Sequence, residues 1–260
     1  MWRRTKTFSN LIFETLAEAW GNDNAEFHTL SIAGGTDCLA LTSDLMNFKD
    51  LINTLVFDWD GTLVDSAELG LRAFQRTFAD LAVPFPMDIY ERAYSPNWYL
   101  TYEALGLARD KWATADKLWL NHYGDQTAEL IDGVHETLTE LHQRGYRLGV
   151  VTSGSESRVT REIECGQLRE VFDVVVCNEH IVNKKPHPEG LEKALHKLSC
   201  PTEHAAYVGD ATDDIEMGRN AGVFTVRVLS KYPGNSRLQL ANPDLYIQSL
   251  PDLLNHFISS

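Results

Sequence analysis

The strongest constraint on the fold lies in the second half of the chain, where short apolar runs alternate with segments of helical period. Val134 to Arg144 reads as a helix stopped by Gly145, and Tyr146 to Thr152 as an apolar strand running into Ser153-Gly154. Ser157 to Cys165 is helical again, and Phe172 to Cys177 is strand-like. A helix over Pro188 to Leu198, a strand over Ala205 to Val208, a helix over Asp214 to Ala221 and a strand over Phe224 to Leu229 follow. A last strand near Leu245 to Gln248 and a helix from Pro251 to Ile258 close the pattern. Strand, crossover helix and strand in repetition predict an α/β fold, a Rossmann-like parallel sheet with helices on both faces.

The first strand of that sheet is expected in Leu55-Val56-Phe57-Asp58-Trp59-Asp60-Gly61-Thr62-Leu63-Val64-Asp65, where an apolar run ends abruptly in two carboxylates. Open α/β sheets bind ligands beyond the carboxyl ends of their strands, so position makes Asp58 and Asp60 candidates for chemistry. Taken alone, the same tetrapeptide is an Asp-Gly turn.

Residues 67–131 interrupt the alternation. Leu69, Ala73, Phe74, Phe78 and Leu81 recur at helical spacing, as do segments over Trp98 to Leu107 and Asp110 to Leu130. Pro84, Pro86 and Pro96 punctuate them, so three to five short helices are expected. Their dense aromatics are read as the core of that helical unit. The expected division is an N-terminal extension over 1–45, a core over 46–66 and 132–260, and a helical insert over 67–131. No role is assigned to 1–45, although Met46 stands where a compact domain would begin. Glu14, Glu18 and Asp23 weaken a transit-peptide reading of the basic start.

Composition excludes whole classes of function. A formal charge of −14 argues against nucleic acid, which demands clustered Lys and Arg. No apolar run reaches the roughly 20 residues that span a bilayer, and a cleavable signal is missing from the first residues. The four cysteines form no C-x-x-C pair, which fits reduced thiols in a cytoplasmic protein rather than zinc or a disulfide framework.

Four polar clusters follow strand-like runs or the loops beyond them: Asp58/Asp60/Thr62, Thr152/Ser153, Lys184-Lys185-Pro186, and Gly209-Asp210 through Asp214. A parallel sheet would bring all four to one edge. With these motifs the chain resembles the haloacid dehalogenase superfamily, in its phosphoglycolate phosphatase-like branch, over roughly Asn53 to Phe257. The resemblance implies a small helical cap between the first and second motifs.

It further implies a Mg²⁺-dependent phosphatase acting on a small phosphorylated metabolite. Asp58 is then the nucleophile, and Asp60 the general acid for the leaving oxygen and later the base for water. Mg²⁺ would be held by Asp58, Asp210, the Asp60 backbone carbonyl and Asp214, as oxygen ligands suit that hard ion. Thr152 and Ser153 would bind phosphoryl oxygens, and Lys185, immediately before the proline, would neutralise charge in the transition state. Asp213 is left as a surface or capping acid, and His180 and His187 as polar loop residues. Asn97, Tyr99 and Tyr102, with Gly70 and Arg72, are candidates for the leaving-group pocket. Phosphoglycolate is the first substrate to test. A sugar phosphomutase, an inorganic pyrophosphatase and a non-catalytic binding protein of the same fold are the rivals. A monomer or homodimer is expected.

Overall fold

The computed structural model of the protein describes residues 51–230, 232 and 242–258. The readings of residues 1–45 and of Met46 lie outside the described residues. Strand β1 (Thr54–Phe57) is buried at all four positions. Two short pieces of chain then lead away from the sheet, first the turn at Gly61 and then β2 (Val64–Asp65).

Four helices follow: α1 (Ala67–Asp80), α2 (Met87–Ala93), α3 (Trp98–Ala104) and α4 (Trp112–Tyr123). They share their own apolar cluster, built on Phe74, Phe78, Tyr90, Tyr102, Leu105 and Leu107. The helix expected to reach Leu130 stops at Tyr123, where Gly124 takes a φ of +61° that a side chain would resist. Beyond it, β3 (Glu129–Leu130) pairs antiparallel with β2, so the helical insert leaves and rejoins the core through a two-stranded ribbon. Helix α2 went unmarked in the periodicity; Pro86 stands immediately before it, where a proline costs the helix nothing.

The remaining elements are α5 (Val134–Gln143), β4 (Arg147–Val151), α6 (Glu156–Cys165), β5 (Val174–Val176), α7 (Glu189–Lys197), β6 (Ala205–Gly209), α8 (Thr212–Ala221), β7 (Phe224–Val228), β8 (Leu245–Ile247) and α9 (Asp252–Phe257). The strands form one sheet in the order β5-β4-β1-β6-β7-β8, with every neighbouring pair parallel. Leu55 and Val56 point to opposite faces, and both are fully buried. Leu55 packs with Leu138, Ile163 and Leu253 of α5, α6 and α9. Val56 packs with Leu191, Ala194 and Met217 of α7 and α8. Helices on both faces explain why these strands read as unbroken β-branched runs rather than alternating ones.

The chain travels outward from β1 through β4 to β5, then returns to the other side of β1 at β6. That reversal lies beside β1, and in such sheets the crevice outside the strand ends at this point is where ligands bind. Among the described residues no helix is long and apolar enough to cross a membrane.

Candidate active site

The carboxyl ends of β1, β4 and β6 deliver Asp58, Thr152 and Asp210 to that crevice, and the loop after β5 delivers Lys185. Asp58 leaves β1 still in register, its backbone N–H donating to the Val208 carbonyl at 2.9 Å. Gly209 lets α8 approach: a Cβ there would stand 2.4 Å from the Cβ of Asp214. Gly61 is similarly required, since it has a φ of +81° and a Cβ would fall 2.6 Å from a carboxylate oxygen of Asp210.

Asp58, Asp210 and Asp214 each present one oxygen, and these atoms lie within 4.8 Å of one another. All three side chains are buried. Lys185 donates to Asp58, and to Asp214 at 2.8 Å. Asp214 also receives the Ala211 N–H at 3.0 Å, so the first turn of α8 fixes its carboxylate. One ammonium against three carboxylates leaves an excess of negative charge in a buried space. Burial pushes Asp58 well above the ordinary carboxylate range; Lys185 opposes the shift and Asp214, Asp210 and Asp60 add to it. Burial, then the neighbouring Asp214, pushes Asp210 up to about 7. Lys185 shows the converse: burial disfavours its charge, but Asp214 and Asp58 outweigh that and raise it well above its ordinary value. Buried oxygen donors with uncompensated charge fit a hard divalent cation. Asp60 contributes no side-chain oxygen to this cluster.

Asp60 is held elsewhere. Arg158 of α6 grips its carboxylate with two hydrogen bonds, of 2.9 and 2.5 Å, and the Ser66 hydroxyl donates to it at 2.5 Å. Burial would raise this carboxyl, but the charge and hydrogen bonds of Arg158, with Ser66, override it and hold it below the usual range. Behind Arg158 lies Glu162, wholly buried, which accepts from Arg158 at 3.1 Å, Trp59 Nε1 at 2.7 Å, the Tyr123 hydroxyl at 2.8 Å and the Ala128 N–H at 3.2 Å. The chain of contacts therefore ties strand-end Asp60 to a helix of the core and to α4 of the insert. Neither Arg158 nor Glu162 was singled out in the sequence. Their only signal there is an Arg and a Glu four apart beside the apolar Val159 and Ile163, which reads as an exposed ion pair.

Thr152 and Ser153 line the same cavity as Asp58, Asp60 and Asp210. The Thr152 hydroxyl accepts from the Gly154 N–H at 2.9 Å, an arrangement that shapes the loop and leaves its own proton for another acceptor. Lys184 turns away from the carboxylates: it donates to Asn178, and its ammonium lies 3.8 Å from the centre of the Trp98 ring. Asp213, expected at the surface, is partly buried and receives the Ser95 hydroxyl of the insert at 2.5 Å. His180 Nδ1, at the end of a 3-10 turn (Asn178–His180), accepts from the Cys177 N–H, and His187 Nδ1, in the loop before α7, accepts from the Glu189 N–H; neither joins the Asp58/Asp210/Asp214 cluster.

The insert roofs a cavity of about 420 Å³ over the strand ends. Of the leaving-group candidates, Tyr102 and Gly70 line it, whereas Asn97, Tyr99 and Arg72 do not. Tyr99 instead stacks on Trp112, with centroids 4.7 Å apart, and donates to Asp116. Tyr94, Trp98 and Trp119 do line the cavity, so the aromatics read as helical core also wall the site.

Residues 55–228, more than half of the chain, match the family model described as haloacid dehalogenase-like hydrolase. The chain is 34% identical over 209 residues to pyrophosphatase PpaX of Bacillus cereus, covering 78% of this chain and 95% of that protein. Among solved structures, CbbY from Rhodobacter sphaeroides in complex with phosphate is 25% identical with a TM-score of 0.66, the match covering 78% of this chain and 96% of that one. A hydrolase from Pseudomonas syringae, 22% identical, covers 80% of this chain and the whole of the other with a TM-score of 0.71, a likeness of fold.

Proposed function

Since this chain belongs to the haloacid dehalogenase-like hydrolases, we propose that it is a Mg²⁺-dependent phosphatase that cleaves a small phosphate monoester through an aspartyl phosphate. The observation that carries the reading is that Asp58 and Asp210 line the roofed cavity while Lys185 and Asp214 meet Asp58 beside it, so that one ammonium and three carboxylate oxygens converge at the strand ends. In this reading residues 67–131 form the cap and 46–66 with 132–260 the catalytic core, acting in the cytoplasm.

Asp58 attacks phosphorus in line, the ester P–O bond breaks, and the departing oxygen takes a proton from Asp60. Water then attacks the acyl phosphate, gives its proton to Asp60, and releases inorganic phosphate with Asp58 restored. The hold of Arg158 keeps Asp60 ionised, which suits the base half of this role. For the acid half the carboxyl takes up a proton, and a proton on either oxygen displaces one of the arginine's bonds. Lys185, the Thr152 hydroxyl and the Ser153 N–H neutralise and orient the phosphoryl oxygens. Asp58, Asp210 and Asp214 would hold Mg²⁺, whose charge offsets the repulsion between phosphate and carboxylates.

A second reading, an inorganic pyrophosphatase, is favoured by the identity to PpaX. Phosphate release from an aryl phosphate, from a metabolite panel that includes phosphoglycolate and sugar phosphates, and from pyrophosphate, each with and without Mg²⁺, tests both. Turnover that depends on Mg²⁺ and is lost in Asp58→Asn supports hydrolysis. Absence of metal-dependent turnover across the panel would leave only a binding protein.

A further inference from the structure

We propose that the alcohol released from the phosphate ester is an uncharged, ring-bearing one, and that a leaving group with a carboxylate or second phosphate is rejected. The inference rests on the phosphatase reading and narrows it, against both phosphoglycolate and pyrophosphate.

Charge on the cavity wall makes the argument. Among the described residues that line it, Arg158 is the one cation, and it is already committed to Asp60 and Glu162. Arg158 is only 4% exposed. A second anion on the substrate would therefore compete with two carboxylates for a buried guanidinium. Lys185 is spent at the other end of the site, on Asp58 and Asp214, where the phosphoryl group itself belongs. Lys184 does not line the cavity: it donates to Asn178, with its ammonium 3.8 Å from the centre of the Trp98 ring.

The leaving-group side is instead acidic and aromatic. Asp116 lines it, its carboxylate held by Trp98 Nε1 at 2.7 Å and the Tyr99 hydroxyl at 3.0 Å, and Asp213 and Glu216 line it too. Lys184 offsets part of the Asp116 charge from outside the lining, but among the described lining residues no uncommitted cation faces these acids, and like charges at short range in a partly desolvated site cost binding. The same wall offers flat apolar surface in Tyr94, Trp98, Tyr102 and Trp119, suited to stacking against a ring.

Polar handles for a neutral ring are also present. Among the described residues, Trp119 Nε1, Ser155 Oγ and Thr212 Oγ1 are buried atoms that find no hydrogen-bond partner, and all three residues line the cavity. A buried donor left unpaired is costly, and a hydroxyl or ring heteroatom on the substrate would satisfy it. The volume of about 420 Å³ falls within the roughly 300–1,000 Å³ usual for small-molecule sites and would be poorly filled by pyrophosphate.

The test compares phenyl phosphate with 3-carboxyphenyl phosphate, which differ by one anionic group on the same ring, using the full chain with Mg²⁺. Phosphoglycolate and pyrophosphate are run beside them. The expected result is a kcat/KM at least tenfold higher for the phenyl ester than for any of the other three. Binding of the two aryl esters to Asp58→Asn, measured by calorimetry, should show the same order. Placing a cation on the wall with Leu120→Arg, at a residue 44% exposed, should move the ratio at least tenfold towards the carboxylated ester. A carboxyphenyl ester used within threefold of the phenyl ester, or phosphoglycolate or pyrophosphate as the best substrate, would overturn the inference while leaving hydrolysis intact. If no ester turns over but Asp58→Asn binds phenyl phosphate preferentially, the pocket assignment stands and the hydrolytic reading falls. Binding of both esters with equal affinity, or of neither, overturns the assignment.

Discussion

Replacing Asp58 by Asn is expected to abolish turnover and, in the absence of metal, to make the protein more stable. The carboxylate oxygens of Asp58, Asp210 and Asp214 lie within 4.8 Å of one another. At an effective dielectric constant of about 20, Coulomb's law puts each like-charged pair at that separation near 3.5 kcal/mol. Asn at position 58 removes two such repulsions. It also gives up the charge attraction to Lys185, but its amide oxygen still accepts from that ammonium, which keeps Asp214 as its ionic partner at 2.8 Å. Proton uptake by the wild-type cluster caps the repulsion that can be relieved, so a net gain of about 2 kcal/mol is expected. For a domain of this size that corresponds to a rise in Tm of about 4–8 °C.

The sign with pH follows from the direction of the shift. Burial and the neighbouring acids raise the folded-state pKa of Asp58 above its unfolded value, so the folded protein binds the proton more tightly. The cost of Asp58 is therefore absent below about pH 4 and grows as pH rises towards the raised value. Thermal melts in EDTA should show Asp58→Asn and wild type close together near pH 4.5 and separated by the full shift at pH 8. Saturating Mg²⁺ should then raise wild type more than the variant, because the variant has lost a ligand and with it the mass-action gain, about 2.7 kcal/mol at a hundredfold excess over Kd. A variant no more stable than wild type at pH 8 in EDTA, or a gain equal at both pH values, would refute the electrostatic account. Residual activity within tenfold of wild type would remove Asp58 from the attacking role.

Three further outcomes are expected. Glu162→Gln should destabilise by about 3 kcal/mol, the low end for a broken buried pair because Arg158 keeps Asp60; urea unfolding should show the midpoint falling by more than 1 M, and a shift under 0.3 M would contradict the network. Lys185→Met should lower kcat by about 10²–10³, the scale for one donor aimed at developing charge, and a loss confined to KM would deny it that role. In the native state a thiol reagent should modify exposed Cys165 and spare Cys177, which is buried and whose thiol is pushed up to about 12 by burial and then Glu179; mass mapping after brief labelling decides it.

Much of the core could be read from the chain because each of its decisive features is local. Parallel strands covered on both faces are continuous apolar runs, and the residue that ends each run, Asp58, Thr152 or Asp210, lands on the binding edge whatever the rest of the fold does. Lys185 could be told from Lys184 only through the proline that follows it. The insert was less legible. Helical spacing marks Tyr94, Trp98 and Trp119 as inward-facing, but the inner face of a roof looks partly at packing and partly at a cavity, and the period is the same for both. Position in the cap makes Asn97 and Tyr99 candidates, but neither lines the cavity, Tyr99 being stacked on Trp112. Strand β3 was missed because two residues carry no period at all.

The two acids at the end of β1 show what local reading leaves out. Asp58 and Asp60 are alike in type and two residues apart, the first buried and the second partly so, yet one is raised and the other lowered. Nothing within the stretch separates them. The difference is imposed from outside the stretch: Asp210 and Asp214 crowd Asp58, with Lys185 compensating only in part, while Arg158 and Ser66 give Asp60 more stabilisation than its burial takes away. Since Glu162 fixes Arg158 and also accepts from Tyr123 of the insert, the environment of Asp60 depends on where the roof sits. A shift of α4 away from the core would strain that acceptor set and loosen the hold on Asp60, whereas the Asp58 cluster, built wholly from the core, would be unchanged. The environment of Asp58 is thus set by the core alone, and that of Asp60 by the core and the insert together.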